Sequence, residues 1–297
     1  MKRVRLSRSD RVFLTVINAG LGLTLIIVIY PLIYILSSSF SAVEAVTSGA
    51  VWLWPVRPSL MGYKAVFQNN QVLNGYANSA FYTFAGTLIN VSMTIMAAFP
   101  LSRREFQGRG ILMFLFTFTM LFSGGLIPTY LVVKSLGMVD TRWAMIIPSA
   151  MGVYQVIIAR TFFQTTIPDE LADAAEIDGC SDIRFMLSIV LPLSKPIIAV
   201  LALMYAVFHW NAYFSALIYL SDPKKFPLQI ILRNILILNA IDFTNRTMDV
   251  EQMIERQGLT DLLKYSLIII ASVPVLALYP FVQKYFVKGI MIGSIKG

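Results

Sequence analysis

Cysteine, histidine and intramembrane charge are what this 297-residue chain has least of. Cys180 is its single cysteine and His209 its single histidine. One cysteine allows no intramolecular disulfide and no thiolate metal site, and one histidine leaves a zinc or haem enzyme without its ligand set. The chain has no G-x-x-x-x-G-K-[ST] phosphate loop, so it lacks the backbone cradle and lysine with which such loops hold ATP. Only 13% of residues are charged, and the long apolar runs are nearly free of Asp, Glu, Lys and Arg. A proton or ion relay would place ionisable groups there, and a membrane enzyme would need a nucleophile, a metal cluster or a carboxylate pair. No catalytic and no metal-binding residue is expected.

Apolar surface is abundant: 57% of residues are hydrophobic and the mean hydropathy is +0.71, too high for a soluble domain of this length. A membrane-crossing helix needs roughly 20 apolar residues to span about 30 Å of hydrocarbon. Six runs qualify, predicting an all-α, polytopic membrane protein. They cover Val12 to Leu36, Asn78 to Leu101 with Asn78 and Ser79 as caps, and Ile111 to Gly124. They continue with Trp143 to Ile158, Pro196 to Leu220, and Leu262 to Phe281 with bends at Pro274 and Pro280. The third run is broken by Gly124, Gly125 and Pro128, after which Thr129 to Leu136 is expected to lie along the surface.

The net charge of +8 sits at the flanks of these runs, which gives nucleic-acid binding no support. Lys2, Arg3, Arg5, Arg8 and Arg11, then Arg103, Arg104 and Arg109, then Lys284, Lys288 and Lys296 mark cytoplasmic sides. The expected organisation is a cytoplasmic N-terminus (1–11), a first transmembrane helix (12–36), and an extracytoplasmic loop (37–77). A transmembrane core (78–283) follows, holding a cytoplasmic loop at 169–196 and an extracytoplasmic loop at 221–261, and then a cytoplasmic tail (284–297). The first run ends in Tyr30-Pro31-Leu32 without a small-residue cleavage site, so it reads as a retained helix.

Between the fourth and fifth runs stands ELADAAEIDGCSDIRFMLSIVLPLSKP, Glu170 to Pro196, which is acidic and alanine-rich. Thr166 and Pro168 mark a helix start, and Asp169, Glu170 and Asp173 complement the positive end of its dipole. Gly179 supplies the stop, Ser181 caps a second short helix, and Pro192 predicts that this helix ends near Leu191. Surface-seeking helices on the anionic inner leaflet are basic, so an acidic pair with Ala172, Ala174 and Ala175 suits close approach of a protein partner.

Asp173-Ala174-Ala175, Gly179 and Ile189-Val190-Leu191-Pro192 resemble the EAA loop, E-A-A-x-x-x-G-x(9)-I-x-L-P, of permease subunits in bacterial ATP-binding-cassette importers. Asp173 stands where that family usually has Glu, which preserves the charge. Trp143 to Pro148 after Gly137-Met138-Val139-Asp140, His209 to Tyr213, Pro227-Leu228-Gln229 with Leu232-Arg233, and the tail from Val287 to Gly297 are similar to the carbohydrate-uptake branch. Within that branch the resemblance is to the maltose-type second permease, from about Tyr63 onward.

The resemblance implies a subunit of the bacterial inner membrane, both termini cytoplasmic, working by alternating access. It implies a second, homologous permease subunit, two ATPase subunits that bind ATP and Mg, and an extracytoplasmic solute-binding protein; the chain itself carries no cofactor. Glu170 and Asp173 would meet basic groups of the ATPase, Ala174 and Ala175 would permit close packing, and Gly179 would set the elbow. Ile189, Leu191 and Pro192 would pass the motion to the fifth span, and Lys288, Gly289 and Lys296 would reach toward the ATPase. The implied cargo is an oligosaccharide, and members of the sub-branch carry fragments of complex polysaccharides, acidic ones such as alginate or pectin included.

A saccharide route needs polar and aromatic groups together. Asn90, Tyr130, Tyr154, Gln155, Trp210, Asn211 and Tyr213 are the candidates, although aromatic residues also form interfacial belts and Asn also ties neighbouring helices. Two alternatives stand beside this reading: an ATP-independent secondary carrier or pore, and an importer permease of the same architecture for a non-sugar solute.

Overall fold

The computed structural model describes residues 7–241 and 250–292, with side chains described for 7–235, 258 and 260–280. All regular structure among the described residues is helical. In chain order the helices are α1 (Arg8–Ser39), α2 (Val43–Thr47), α3 (Met61–Gln68), α4 (Asn70–Ser102), α5 (Arg109–Leu121), α6 (Leu126–Ser135) and α7 (Val153–Thr166). Then come α8 (Asp169–Ile177), α9 (Asp182–Phe185), α10 (Leu191–Leu193), α11 (Lys195–Trp210), α12 (Phe214–Tyr219), α13 (Leu228–Ile241) and α14 (Val250–Ile292).

Three stretches are long and apolar enough to cross a membrane alone: Arg8–Ser39, Asn70–Ser102 and Thr260–Pro280. Three bent pairs qualify together. They are Arg109–Leu121 with Leu126–Ser135 at 114°, Arg142–Ser149 with Val153–Thr166 at 50°, and Asp182–Leu193 with Lys195–Trp210 at 81°. Six crossings follow if each pair is one span, as the six apolar runs predict.

Boundaries differ from the sequence reading in instructive ways. Asn78 and Ser79 are not caps: α4 begins at Asn70, and both residues are buried inside it. The run from Trp143 is two short 3-10 turns, Arg142–Met145 and Ile147–Ser149, before α7 begins at Val153, because Pro148 and Gly152 interrupt helical pairing. The third run stops at Leu121, and Gly125, at φ +85°, turns the chain into α6. The fifth run breaks at Asn211, after which α12 is separate. The segment assigned as a 221–261 loop holds a 3-10 turn, all of α13 and the start of α14; the 37–77 loop holds α2, α3 and the start of α4. The tail from residue 284 continues α14 to Ile292, so Lys288 and Gly289 lie inside that helix, while Lys296 lies outside the described residues.

The described residues fall into two compact units, those within Met1–Asn69 and Leu232–Ser272, and those within Asn70–Ile231 and Val273–Gly297. In the first, α1 buries only its last turn, Ser37 to Ser39. There Ser37 donates to the Leu53 carbonyl (2.6 Å), Ser39 bonds the Tyr63 hydroxyl (2.8 Å), and Ala45, Val46, Val51 and Leu262 form a small core. Gly62 lets α3 approach Leu262 and Ser266 more closely than any side chain would allow.

The second unit is organised by α4, whose residues Asn78, Tyr82, Gly86, Asn90, Thr94 and Ala98 recur every fourth position and are all buried. This stripe faces α7 and α11, the two helices with which α4 makes its most extensive contacts. Below it, Ile95, Ala98 and Leu101 pack with Val156, Ala159, Phe163, Val190, Ile197, Leu201 and Tyr205. Polar groups on the stripe act as ties. Thr94 bonds the Tyr205 hydroxyl (2.7 Å), which accepts from the Gly152 amide (3.0 Å). Interhelical hydrogen bonds of this kind average about 0.6 kcal/mol in membranes, so several are needed to fix a bundle.

Candidate functional site

The acidic stretch folds as a helix, an elbow and a second helix. Pro168, extended at ψ 149°, opens α8, and Asp169 and Glu170 occupy its first turn. Its end is a complete Schellman motif. The Cys180 amide donates to the Ala175 carbonyl (2.8 Å) and the Gly179 amide to the Glu176 carbonyl (2.9 Å). Gly179 sits at φ +71°, and a Cβ there would meet nothing within 4 Å, so the glycine serves the backbone conformation and not a close contact.

Ser181 has the extended geometry of an N-cap but makes no side-chain capping bond. The second helix does not end at Leu191 as expected. From α9 the chain passes through a π turn, Met186–Val190, into α10, with Leu191 itself helical (φ −60°, ψ −45°) and Pro192 inside. Pro192 has no N–H for the Ser188 carbonyl, and the wider π turn accommodates that loss. The break falls instead at Ser194, where α10 and α11 diverge.

Ala175 is buried and Ala172 packs against the same core, while Ala174 is exposed, so of the two alanines assigned to a partner only Ala174 is open to one and Ala175 packs within its own subunit. The side away from the core offers Ile177 at 87% exposure beside exposed Glu170 and Asp178, while Ile183, at 71%, stands with exposed Asp173 and Glu176 along the cleft that faces the end of α4. Of the residues assigned to the 189–192 end, Ile189 and Leu191 pack against the core around Val190. An apolar knob flanked by carboxylates suits a protein surface carrying a cleft and cationic groups.

Two residues in the neighbouring segment were missed as partners. Arg103 and Arg104, read only as topogenic charges, both pair with Asp169, at 3.5 and 3.3 Å. The signal available was opposite charge on two loops assigned to the same side; nothing local joined residues 66 positions apart.

The seven candidates for a solute route do not share one surface. Asn90 is fully buried, donating to the Ser149 carbonyl (2.7 Å) with Oδ1 3.4 Å from His209 Nε2. That is a tie between α4, the second 3-10 turn and α11. Gly86 abuts the same imidazole, whose Cδ2 would lie 2.6 Å from an added Cβ. Tyr130 stacks on Tyr219 with centroids 6.2 Å apart, and Tyr213 packs near Tyr82 and Ile146. Tyr154 is exposed and Gln155 folds against Gly152. Asn211 donates to the Val207 carbonyl (2.9 Å) and accepts from Gln229 (3.4 Å). Trp210, edge-on to Tyr76 at 5.4 Å, lines a cleft of about 600 Å³ between α4, α11 and the 274–278 part of α14.

A staple closes the far end of the second unit. Asp140, at φ +57°, accepts from the Ser221 and Asp222 amides (3.0 Å each) and from Lys225 Nζ (3.0 Å). The two amides first, then Lys225, hold its carboxyl down to about 2. Asn78 donates to the Lys224 and Phe226 carbonyls (2.7 and 3.1 Å) and accepts from Arg142 (3.2 Å), while Tyr82 donates to the Lys225 carbonyl (2.8 Å).

Long apolar helices and bent pairs of this kind are the architecture of a membrane-spanning protein, and comparison with known proteins gives the family. Residues 72–292 match the family of binding-protein-dependent transport system inner membrane components, and the chain belongs to it. It is 45% identical over 271 residues to the protein LplC of Bacillus subtilis (strain 168), covering 91% of this chain and 90% of that one. It is 42% identical over 289 residues to the polygalacturonan/rhamnogalacturonan transport system permease protein YtcP of the same organism, covering 97% and 99%. A crystal structure of a bacterial ABC transporter involved in the import of the acidic polysaccharide alginate contains a chain of the same fold. It has a TM-score of 0.85 and 32% identity, covering 95% of this chain and 99% of that one.

Proposed function

We propose that this chain is the membrane-spanning subunit of an ATP-driven importer that takes an oligosaccharide from a solute-binding protein into the cytoplasm by alternating access. Its cargo is an acidic fragment of a complex polysaccharide, a reading supported by its similarity to the polygalacturonan/rhamnogalacturonan permease and to the alginate importer. The observation that carries the coupling role is the elbow: α8, a Schellman turn at Gly179 and a second helix that runs on through Pro192 to α11. Exposed Ile177 with the carboxylates beside it seats in a cleft of a separate ATPase, two copies of which bind ATP and Mg. A second permease subunit completes the bundle. Both termini are cytoplasmic, placing the elbow on the ATPase side and the Asp140 staple on the side of the binding protein.

The test is ATP hydrolysis by the reconstituted complex, with binding protein loaded in turn with oligogalacturonate, alginate oligomers and maltodextrin. Acidic saccharides stimulate hydrolysis, and Gly179→Pro abolishes the stimulation. Stimulation by maltodextrin alone overturns the cargo, and a fully stimulated Gly179→Pro complex overturns the coupling role.

A further inference from the structure

The elbow is not packed solidly on its own subunit. A cleft of about 780 Å³ separates α8 and α9 from the end of α4 and the segment after it, lined by Phe99, Arg103, Glu105, Ala172, Glu176 and Asp182 among others. Across such a gap the attachments at its rim decide the angle at which the elbow stands. One side chain supplies two of them. Arg103 is only 11% exposed, and its Nη1 lies 3.5 Å from Asp169 at the start of α8. Its guanidinium carbon lies 5.0 Å from the Phe99 ring centroid and 5.8 Å from that of Phe185, in α9. Nε and Nη2 are buried without hydrogen-bond partners, so the flat cation is held by ring faces and by one carboxylate. Its own backbone is anchored in turn, since Arg109 donates to the Arg103 carbonyl (3.0 Å). Arg104 also reaches Asp169, but at 80% exposure its pair is screened and contributes little.

We propose that Arg103 is the positioning residue of the elbow: it ties both arms of the helix pair to the end of α4, so that displacement of the elbow is delivered to α4 as well as to α11. The ion pair with Asp169 holds the first arm, and the cation–ring contact with Phe185 holds the second. This rests on the coupling role proposed above. Without the tie, force applied at Ile177 rocks the helix pair over the cleft before it moves the bundle.

The experiment measures solute transported per ATP hydrolysed in the reconstituted complex, with subunit stoichiometry checked by co-purification. Arg103→Ala lowers the ratio about tenfold. Asp169→Asn and Phe185→Leu each lower it less, and neither lowers it further once Arg103→Ala is present, a non-additivity that general loosening of the loop does not produce. A nitroxide on Ile177→Cys, in a Cys180→Ser background, gains motion in Arg103→Ala. If Arg103→Ala fails to assemble, Asp169→Asn carries the test, because that carboxylate is 40% exposed. A wild-type ratio in assembled Arg103→Ala or Asp169→Asn, or additive losses, overturns the proposal. Gly179→Pro in the same preparation separates the two readings: an uncoupled Gly179→Pro with a coupled Arg103→Ala removes this inference alone, whereas a coupled Gly179→Pro removes the coupling role itself.

Discussion

Two glycines, Gly86 in the middle of α4 and Gly179 at the elbow, do opposite work. Around Gly86 the protein is sealed: His209 fills the space where a side chain would be, Asn90 ties that imidazole's helix to its neighbours, and nothing on the stripe faces solvent. At Gly179 an added Cβ would stand in open space, and only the backbone conformation requires glycine. The first region binds α4 to α11 and to the second 3-10 turn. The second is a hinge-shaped handle, stiff in its turn and loosely seated on the bundle. A machine that turns displacement of a loop into tilt of a bundle needs both, and the contrast says that volume changes should harm the first and backbone changes the second.

The largest effect should come from Gly86→Val. Its methyls have no space beside the buried imidazole, so the α4–α11 contact must open. We expect a loss of about 3 kcal/mol or failure of assembly, read as complex yield and thermal unfolding in detergent. Asn90→Leu comes next, removing the ties to Ser149 and His209 and stranding a buried carbonyl. A loss of about 1–2 kcal/mol is expected, with retained transport; abolished transport at wild-type stability would return Asn90 to the solute route.

Gly179→Ala should cost about 1 kcal/mol through the left-handed backbone alone, with wild-type packing, and should affect transport per ATP more than stability. Asp140→Asn should have the smallest effect at neutral pH, since it keeps an oxygen for the Ser221 and Asp222 amides and loses only a half-exposed charge pair. The sign of its pH dependence is fixed. The folded carboxyl titrates near 2, below its usual 3.8, so the staple is at full strength above about pH 4 and is lost as pH falls toward 2. Unfolding curves of Asp140→Asn and the parent should therefore converge on acidification.

Hydrophobic runs and the elbow were legible from the sequence because their signals are local. Six apolar stretches announce six crossings, and an acidic first turn with a glycine nine residues past Glu170 announces a capped helix. Helix starts were not, for identifiable reasons. The first turns of α4, from Asn70 to Ala77, are polar and give no hydropathy signal, so Asn78 looked like a cap when its amide serves carbonyls 146 and 148 residues away. Trp143 to Met151 is apolar enough to read as a span, yet Pro148 and Gly152 divert it into 3-10 turns. The grip of Arg103 on Asp169 and Phe185 was invisible because a charge beside a membrane helix has a sufficient explanation in topology. Asn90, chosen for its polarity at membrane depth, makes its hydrogen bonds to Ser149 and His209, as polar residues between packed helices usually do.

The π turn at Met186–Val190 sets a phase. A turn holding more than the usual 3.6 residues turns less per residue, so it takes in one extra residue over about the rotation and rise of an α turn and keeps the flanking helices in phase. Deleting one residue between Met186 and Val190 would leave the apolar composition and the Gly179 elbow intact. It would convert the wide turn into a regular α turn and leave Ile177 and its carboxylates on nearly the same bearing relative to Pro192, whereas deleting one residue from the α-helical turns beside it would swing them by about 100°. The spacing between glycine and proline thus records an azimuth as well as a length.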